Sequence, residues 1–111
     1  MEIIENEDFC IITPLTYKLD ARETTKILAE INTHPNKKIG LDLSMVIDCT
    51  NDFINQLNNI RNLSVFNIPS NIFVLFCIMQ FDKSLNLFAS KIDFIEDKRR
   101  ILNRKFTLIN S

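Results

Sequence analysis

The sequence predicts an α/β domain with a mixed sheet, and three observations carry the prediction. Short runs rich in β-forming apolar residues, such as Phe9 to Ile12 and Leu63 to Ile68, alternate along the chain with stretches whose apolar residues recur every three or four positions. Strand-like and helix-like segments in alternation build a layer architecture, with helices packed on a sheet. At 111 residues the chain, 1–111, is the size of one domain, which buries roughly 65% of its unfolded surface. With 46% hydrophobic and 24% charged residues, it is too rich in Leu, Ile, Val and Phe to stay disordered.

Taken in order, Ile3-Ile4 and Phe9 to Ile12 are two strands split by Asn6-Glu7-Asp8, a hairpin or an edge strand followed by a core strand, ended by Pro14. A helix follows over LDARETTKILAEI. Asp20 precedes Glu23 by three residues, the spacing of a capping box, and Ile27, Leu28 and Ile31 form the face that packs on a sheet. Asn32 to Lys37 is a loop containing Pro35. KIGLDLSMVI, residues 38 to 47, alternates as a strand. The next helix starts near Asp52, with Phe53, Ile54, Leu57 and Ile60 on one face and Asn55, Gln56, Asn58 and Asn59 on the other.

LSVFNI is a strand stopped at Pro69, and Ser70 is placed to cap what comes next. NIFVLFCIMQF, residues 71 to 81, is apolar all round. Periodicity leaves helix and strand open there, and length favours helix. LNLFAS is a last short strand. KIDFIEDKRRILNRKF is a helix with Ile92, Ile95, Arg99 and Leu102 at helical spacing and Glu96 four residues before Arg100.

Several functions find no support. A net charge of −1, from 13 Lys and Arg against 14 Asp and Glu, gives no global field to attract nucleic acid or an anionic membrane. The lone Gly40 excludes glycine-rich phosphate loops. The longest apolar run, residues 72 to 79, falls well short of the ~20 that span a bilayer, so no membrane insertion is expected. No basic-then-apolar signal segment opens the chain, and three scattered cysteines, Cys10, Cys49 and Cys77, form no framework, so the cytoplasm is the expected compartment. One histidine, His34, in a polar loop where it is expected to be solvated, gives no metal-ligand spacing and no Cys-His pair with Cys49. Neither a cofactor nor catalysis is indicated, and Asp42 and Asp48 do not define an acid/base pair.

Three segments in order carry a family resemblance. YKLDARETTKILAEI resembles the G-x-L-D-A segment that opens the first helix of STAS domains, the sulphate-transporter and anti-sigma-factor-antagonist family. KIGLDLSMV is similar to the family's central v-L-D-L-S-G-V strand, and FDKSLNLFAS to its L-D-K-L-F-x-I-Y-D-S tail. The resemblance implies a sheet of four or five strands with about four helices covering one side. It also implies a non-enzymatic binding module. In bacterial partner switching such a protein captures an anti-sigma factor that is also a serine kinase, and the kinase phosphorylates a serine in a D-S-S-G motif before the second helix.

Aligned without gaps from Leu41, Thr50 stands at the motif's Asp, Asn51 at the phosphorylated Ser, Asp52 at the second Ser and Phe53 at the Gly. An alternative register puts Asp48, Cys49, Thr50 and Asn51 over D-S-S-G. The ungapped register is preferred because it keeps the helix face that packs on the sheet. In it the phosphoacceptor is lost, and Asp52 either mimics a phosphate or caps the helix. By the resemblance, a partner binds at Asp20, Thr50, Asn51, Asp52, Asn55 and Gln56. A second expectation is a STAS-like adaptor that docks on a transporter ATPase and is never phosphorylated. Residues 72 to 79, with Val74 and Cys77 on the outer face, are a candidate partner or homodimer surface.

Overall fold

The computed structural model describes residues 1–60, 63–79 and 85–96. Within them lie β1 (Glu2–Glu5), β2 (Phe9–Thr13), β3 (Lys18–Leu19), α1 (Ala21–Asn32), β4 (Lys38–Asp42), β5 (Asp48–Cys49), α2 (Asn51–Leu57), β6 (Ser64–Phe66), α3 (Ser70–Ile78), β7 (Asn86–Leu87) and α4 (Lys91–Ile95). Five strands form one sheet in the order β1-β2-β4-β6-β7, and β3 pairs with β5 in a separate ribbon. Among the described residues only the β1–β2 pairing is antiparallel. The fold is therefore α/β, with a mixed five-stranded sheet and four helices among the described residues.

Local chemistry explains the first turn and the first helix. Asn6 Oδ1 accepts from the backbone N–H of Asp8 at 2.8 Å and of Phe9 at 2.9 Å, so the polar triplet closes the β1–β2 hairpin. Asp20 caps α1, its Oδ1 accepting from Glu23 N–H at 3.0 Å.

Register sorts the sheet into two faces. Cys10 pairs with Ile39, and Ile12, Leu41, Val65 and Leu87 form a row across four strands. Ile27 and Ile31 of α1, Phe53, Ile54 and Leu57 of α2, and Ile72 and Phe76 of α3 cover this face. The opposite face carries the row Ile11, Gly40, Ser64, Asn86. Here Phe94 of α4 packs with Ile11, Phe66 and Phe88. Cover is thus not wholly one-sided: three helices share a face, and α4 sets one ring on the other.

Several features differ from the sequence expectation. β4 stops at Asp42 instead of running to Ile47, because the Asp42 carboxylate accepts from Ser44 N–H at 3.0 Å and Asn67 Nδ2 at 3.1 Å and turns the chain. The β3–β5 ribbon was not foreseen, since two-residue strands have no readable period. The ambiguous apolar run is helical from Asn71 to Ile78, and Ser70 is the first residue of α3 instead of its cap. Pro69 occupies the cap position, where it offers no side-chain acceptor. In α4, capped by Ser90 Oγ accepting from Asp93 N–H at 3.3 Å, the buried residue is Phe94, whereas Ile92 and Ile95 are exposed. Arg99, Arg100 and Leu102, to which the sequence assigns the rest of that helix, lie outside the described residues. Among the described residues no helix is long and apolar enough to cross a membrane.

Candidate functional site

The small ribbon does more for the site than its length suggests. Its parallel register pairs Lys18 with Asp48 and Leu19 with Cys49. Tyr17 O accepts from Ile47 N–H at 2.8 Å and Asp48 N–H at 3.1 Å, and Thr50 N–H donates to Leu19 O at 3.0 Å. The next residues, Asp20 and Thr50, head α1 and α2, so the two helix N-termini stand side by side. The sequence-predicted residues Asp20, Thr50, Asn51 and Asp52 come together there. Asn55 and Gln56 are exposed one turn further along α2.

Thr50, and not Asp52, caps α2. Its extended backbone suits the cap position, its Oγ1 accepts from Phe53 N–H at 3.3 Å, and the same hydroxyl donates to Leu19 O at 3.3 Å. Asp52 sits inside the first turn and is exposed, where its charge favours the positive end of the helix. Both Thr and Asp make good caps; the bond to Leu19 selects Thr50. Thr50→Ala should therefore lower stability by about 1–2 kcal/mol in urea titrations, whereas Thr50→Ser should keep most of it.

Cys49 is half-buried against the main core. Burial, with a further push from Asp48, raises its thiol to about 11, so it is protonated at neutral pH and a poor nucleophile. His34 is engaged elsewhere in the structure.

An apolar strip adjoins the paired helix ends. Asn71, Val74 and Ile78 recur along one side of α3, and Asn71 Nδ2 donates to Ile47 O at 2.9 Å, beside Tyr17. Tyr17, Ile47, Val74 and Ile78 are 67%, 63%, 52% and 69% exposed. Of the expected outward pair Val74 is exposed, whereas Cys77 is half-buried and Ile78 takes its place at the surface.

Sequence reasoning missed a second cluster. His34 is not solvated: its side chain is 13% exposed, with Nδ1 3.1 Å from Glu5 Oε2 and Nε2 3.3 Å from Glu30 Oε2. Lys37 Nζ donates to Glu5 Oε2 at 2.6 Å, and chiefly this bond holds the Glu5 carboxyl below its usual range, with burial opposing. Cys10, fully buried, pairs with Glu5 across the hairpin, and burial above all, then Glu5 and Glu30, pushes its thiol up. The Glu30–His34 spacing of four was visible in the sequence. The rest depends on hairpin register.

No protein-family model and no curated protein matches the chain.

Proposed function

We propose that this chain is a non-enzymatic protein-binding module of the STAS type, resembling an anti-sigma factor antagonist that has lost its phosphorylatable serine. The observation that carries the reading is the β3–β5 ribbon, which sets Asp20 beside Thr50, Asn51 and Asp52 at two adjacent helix ends. The sheet supports it too, with one antiparallel edge strand and the rest parallel. Recognition rests on the exposed Asp20, Asn51, Asp52, Asn55 and Gln56 in a bacterial cytoplasm. Asn51 has no hydroxyl to accept phosphate, and the Thr50 hydroxyl is spent on capping and on Leu19. Binding is therefore constitutive instead of switched by a kinase.

A second reading, an adaptor subunit on a transporter ATPase, is favoured by the exposed strip of Ile47, Val74 and Ile78, because permanent interfaces are more apolar than transient ones. Affinity purification of the tagged chain from its native cells, read by mass spectrometry, tests both. An ATPase of the histidine-kinase type with no phosphate on the chain is the expected result. A transporter ATPase moves the assignment to the adaptor. Phosphate on Thr50 overturns the loss of the acceptor, and no stable partner overturns the binding module.

A further inference from the structure

We propose that Glu5, Cys10 and His34 bind one zinc-class divalent cation, with Glu30 orienting the imidazole. One ligand atom from each of the three lies within 4.8 Å of the others. They come from β1, β2 and the α1–β4 connection, so an ion here ties three parts of the chain together. This site is at the opposite end of α1 from Asp20, about 18 Å along a helix of this length, and is independent of the proposed partner surface.

The donor set selects the metal. A thiolate, an imidazole and one carboxylate suit zinc and its tetrahedral analogue cobalt(II), whereas calcium and magnesium take oxygen donors. Nitrogen and oxygen ligands of a tetrahedral ion at about 2.0–2.1 Å stand about 3.3 Å apart, and His34 Nδ1 and Glu5 Oε2 are 3.1 Å apart. Closing Cys10 onto the same centre takes a shift of roughly 1 Å, since sulfur and nitrogen around zinc are about 3.6 Å apart.

An independent observation points the same way. His34 Nε2 is buried without a hydrogen-bond partner, although Glu30 Oε2 is only 3.3 Å away. The pair is close but off-line. A ring turned to present Nδ1 to an ion lines Nε2–H up with Glu30, the carboxylate–histidine–metal arrangement that fixes the tautomer. An open cleft lined by Glu5, Thr33, His34 and Lys37 gives the ion a way in.

On binding, the Cys10 S–H bond breaks, a sulfur–metal bond forms and the proton passes to buffer; a proton held on His34 Nδ1 leaves likewise. Lys37 competes, because its ammonium bonds Glu5. Removing that cation should tighten the site, which a simple ion-pair network would not do.

The test is titration of the reduced full chain with cobalt(II), read by thiolate-to-cobalt absorption, and with zinc, read by calorimetry and thermal unfolding. One equivalent should bind, release protons and raise Tm. His34→Gln and Glu5→Gln should each weaken zinc binding at least about 10-fold, Lys37→Met should strengthen it, and Cys10→Ser should abolish the absorption. Cys49→Ser and Cys77→Ser should change nothing. Because Cys10 is in the core, His34→Gln and Glu5→Gln keep the test decisive if Cys10→Ser does not fold. No binding, or binding indifferent to His34→Gln and Glu5→Gln, overturns the proposal.

Discussion

Phe94→Ala should lower the unfolding free energy by about 3–5 kcal/mol, most of the stability of a marginal small domain. The side chain is fully buried, although it belongs to a helix of only five residues. Its ring stacks on Phe66 with centroids 5.3 Å apart and meets Phe9 and Phe88 edge-on at 5.8 and 6.1 Å. Lys38 Nζ donates to Phe94 O at 2.8 Å and stands 4.6 Å from the ring centre. Truncation thus empties the middle of the second core and takes the ring from beside a half-buried cation.

Gly40 makes the prediction sharper. A Cβ there would meet Phe94 Cζ at 2.7 Å, Phe94 Cε2 at 2.8 Å and Phe66 Cε2 at 2.9 Å, so glycine is required for the ring to lie on the strand. Gly40→Ala alone should cost about 1–3 kcal/mol by overpacking. In the Phe94→Ala background the two closest contacts are gone and the one to Phe66 Cε2 at 2.9 Å remains, while the methyl still removes the strand penalty of glycine, about 0.5–1 kcal/mol relative to alanine. Gly40→Ala should then cost clearly less than it does in the parent chain. Urea titrations of the two single variants and the double variant decide the matter: effects that add to within about 0.5 kcal/mol would mean that ring and glycine are not coupled.

This pair also shows why part of the fold is illegible from sequence. The β1–β2 hairpin and the buried faces of α1 and α2 follow from turn chemistry and from a 3.6-residue period, and the structure matches them except that Thr24 is buried in α1 where Leu28 is only half-buried, and Ile60 lies past the end of α2. In α4 the apolar period selects Ile92 and Ile95. A five-residue helix has room to bury only one large side chain, and the slot over Gly40, on a strand more than fifty residues earlier, admits a flat ring. The site divides in the same way. Thr50 to Gln56 is recognisable as a polar run before an amphipathic helix, but its junction with Asp20 depends on a ribbon too short to have a pattern. The Glu5–Cys10–His34 cluster depends on pairing Glu5 with Cys10, which becomes visible only when the hairpin register is known.

On the adaptor reading Ile47→Asp and Val74→Asp should each weaken capture of the protein partner by at least about 30-fold, the ~2 kcal/mol expected for a hot spot, whereas on the antagonist reading both should leave capture intact. Both side chains are more than half exposed, so neither change should move stability by more than about 0.5 kcal/mol. The two residues belong to one surface: Asn71 of α3 bonds Ile47 O, and Ile47 leads through β5 to the Thr50 cap. A partner covering the strip therefore reaches the polar helix ends as its rim, where single changes such as Asp52→Ala or Gln56→Ala should mainly alter association rate and salt dependence. If Asp52→Ala and Gln56→Ala abolish capture while Val74→Asp leaves it intact, recognition is by the α2 N-terminus and the antagonist reading stands. The reverse pattern assigns the binding energy to α3 and favours the permanent adaptor. Sedimentation of the purified chain adds the remaining arm: a dimer that Val74→Asp converts to monomer would mean that the strip is covered by a second copy of this chain, leaving the polar helix ends to a different protein.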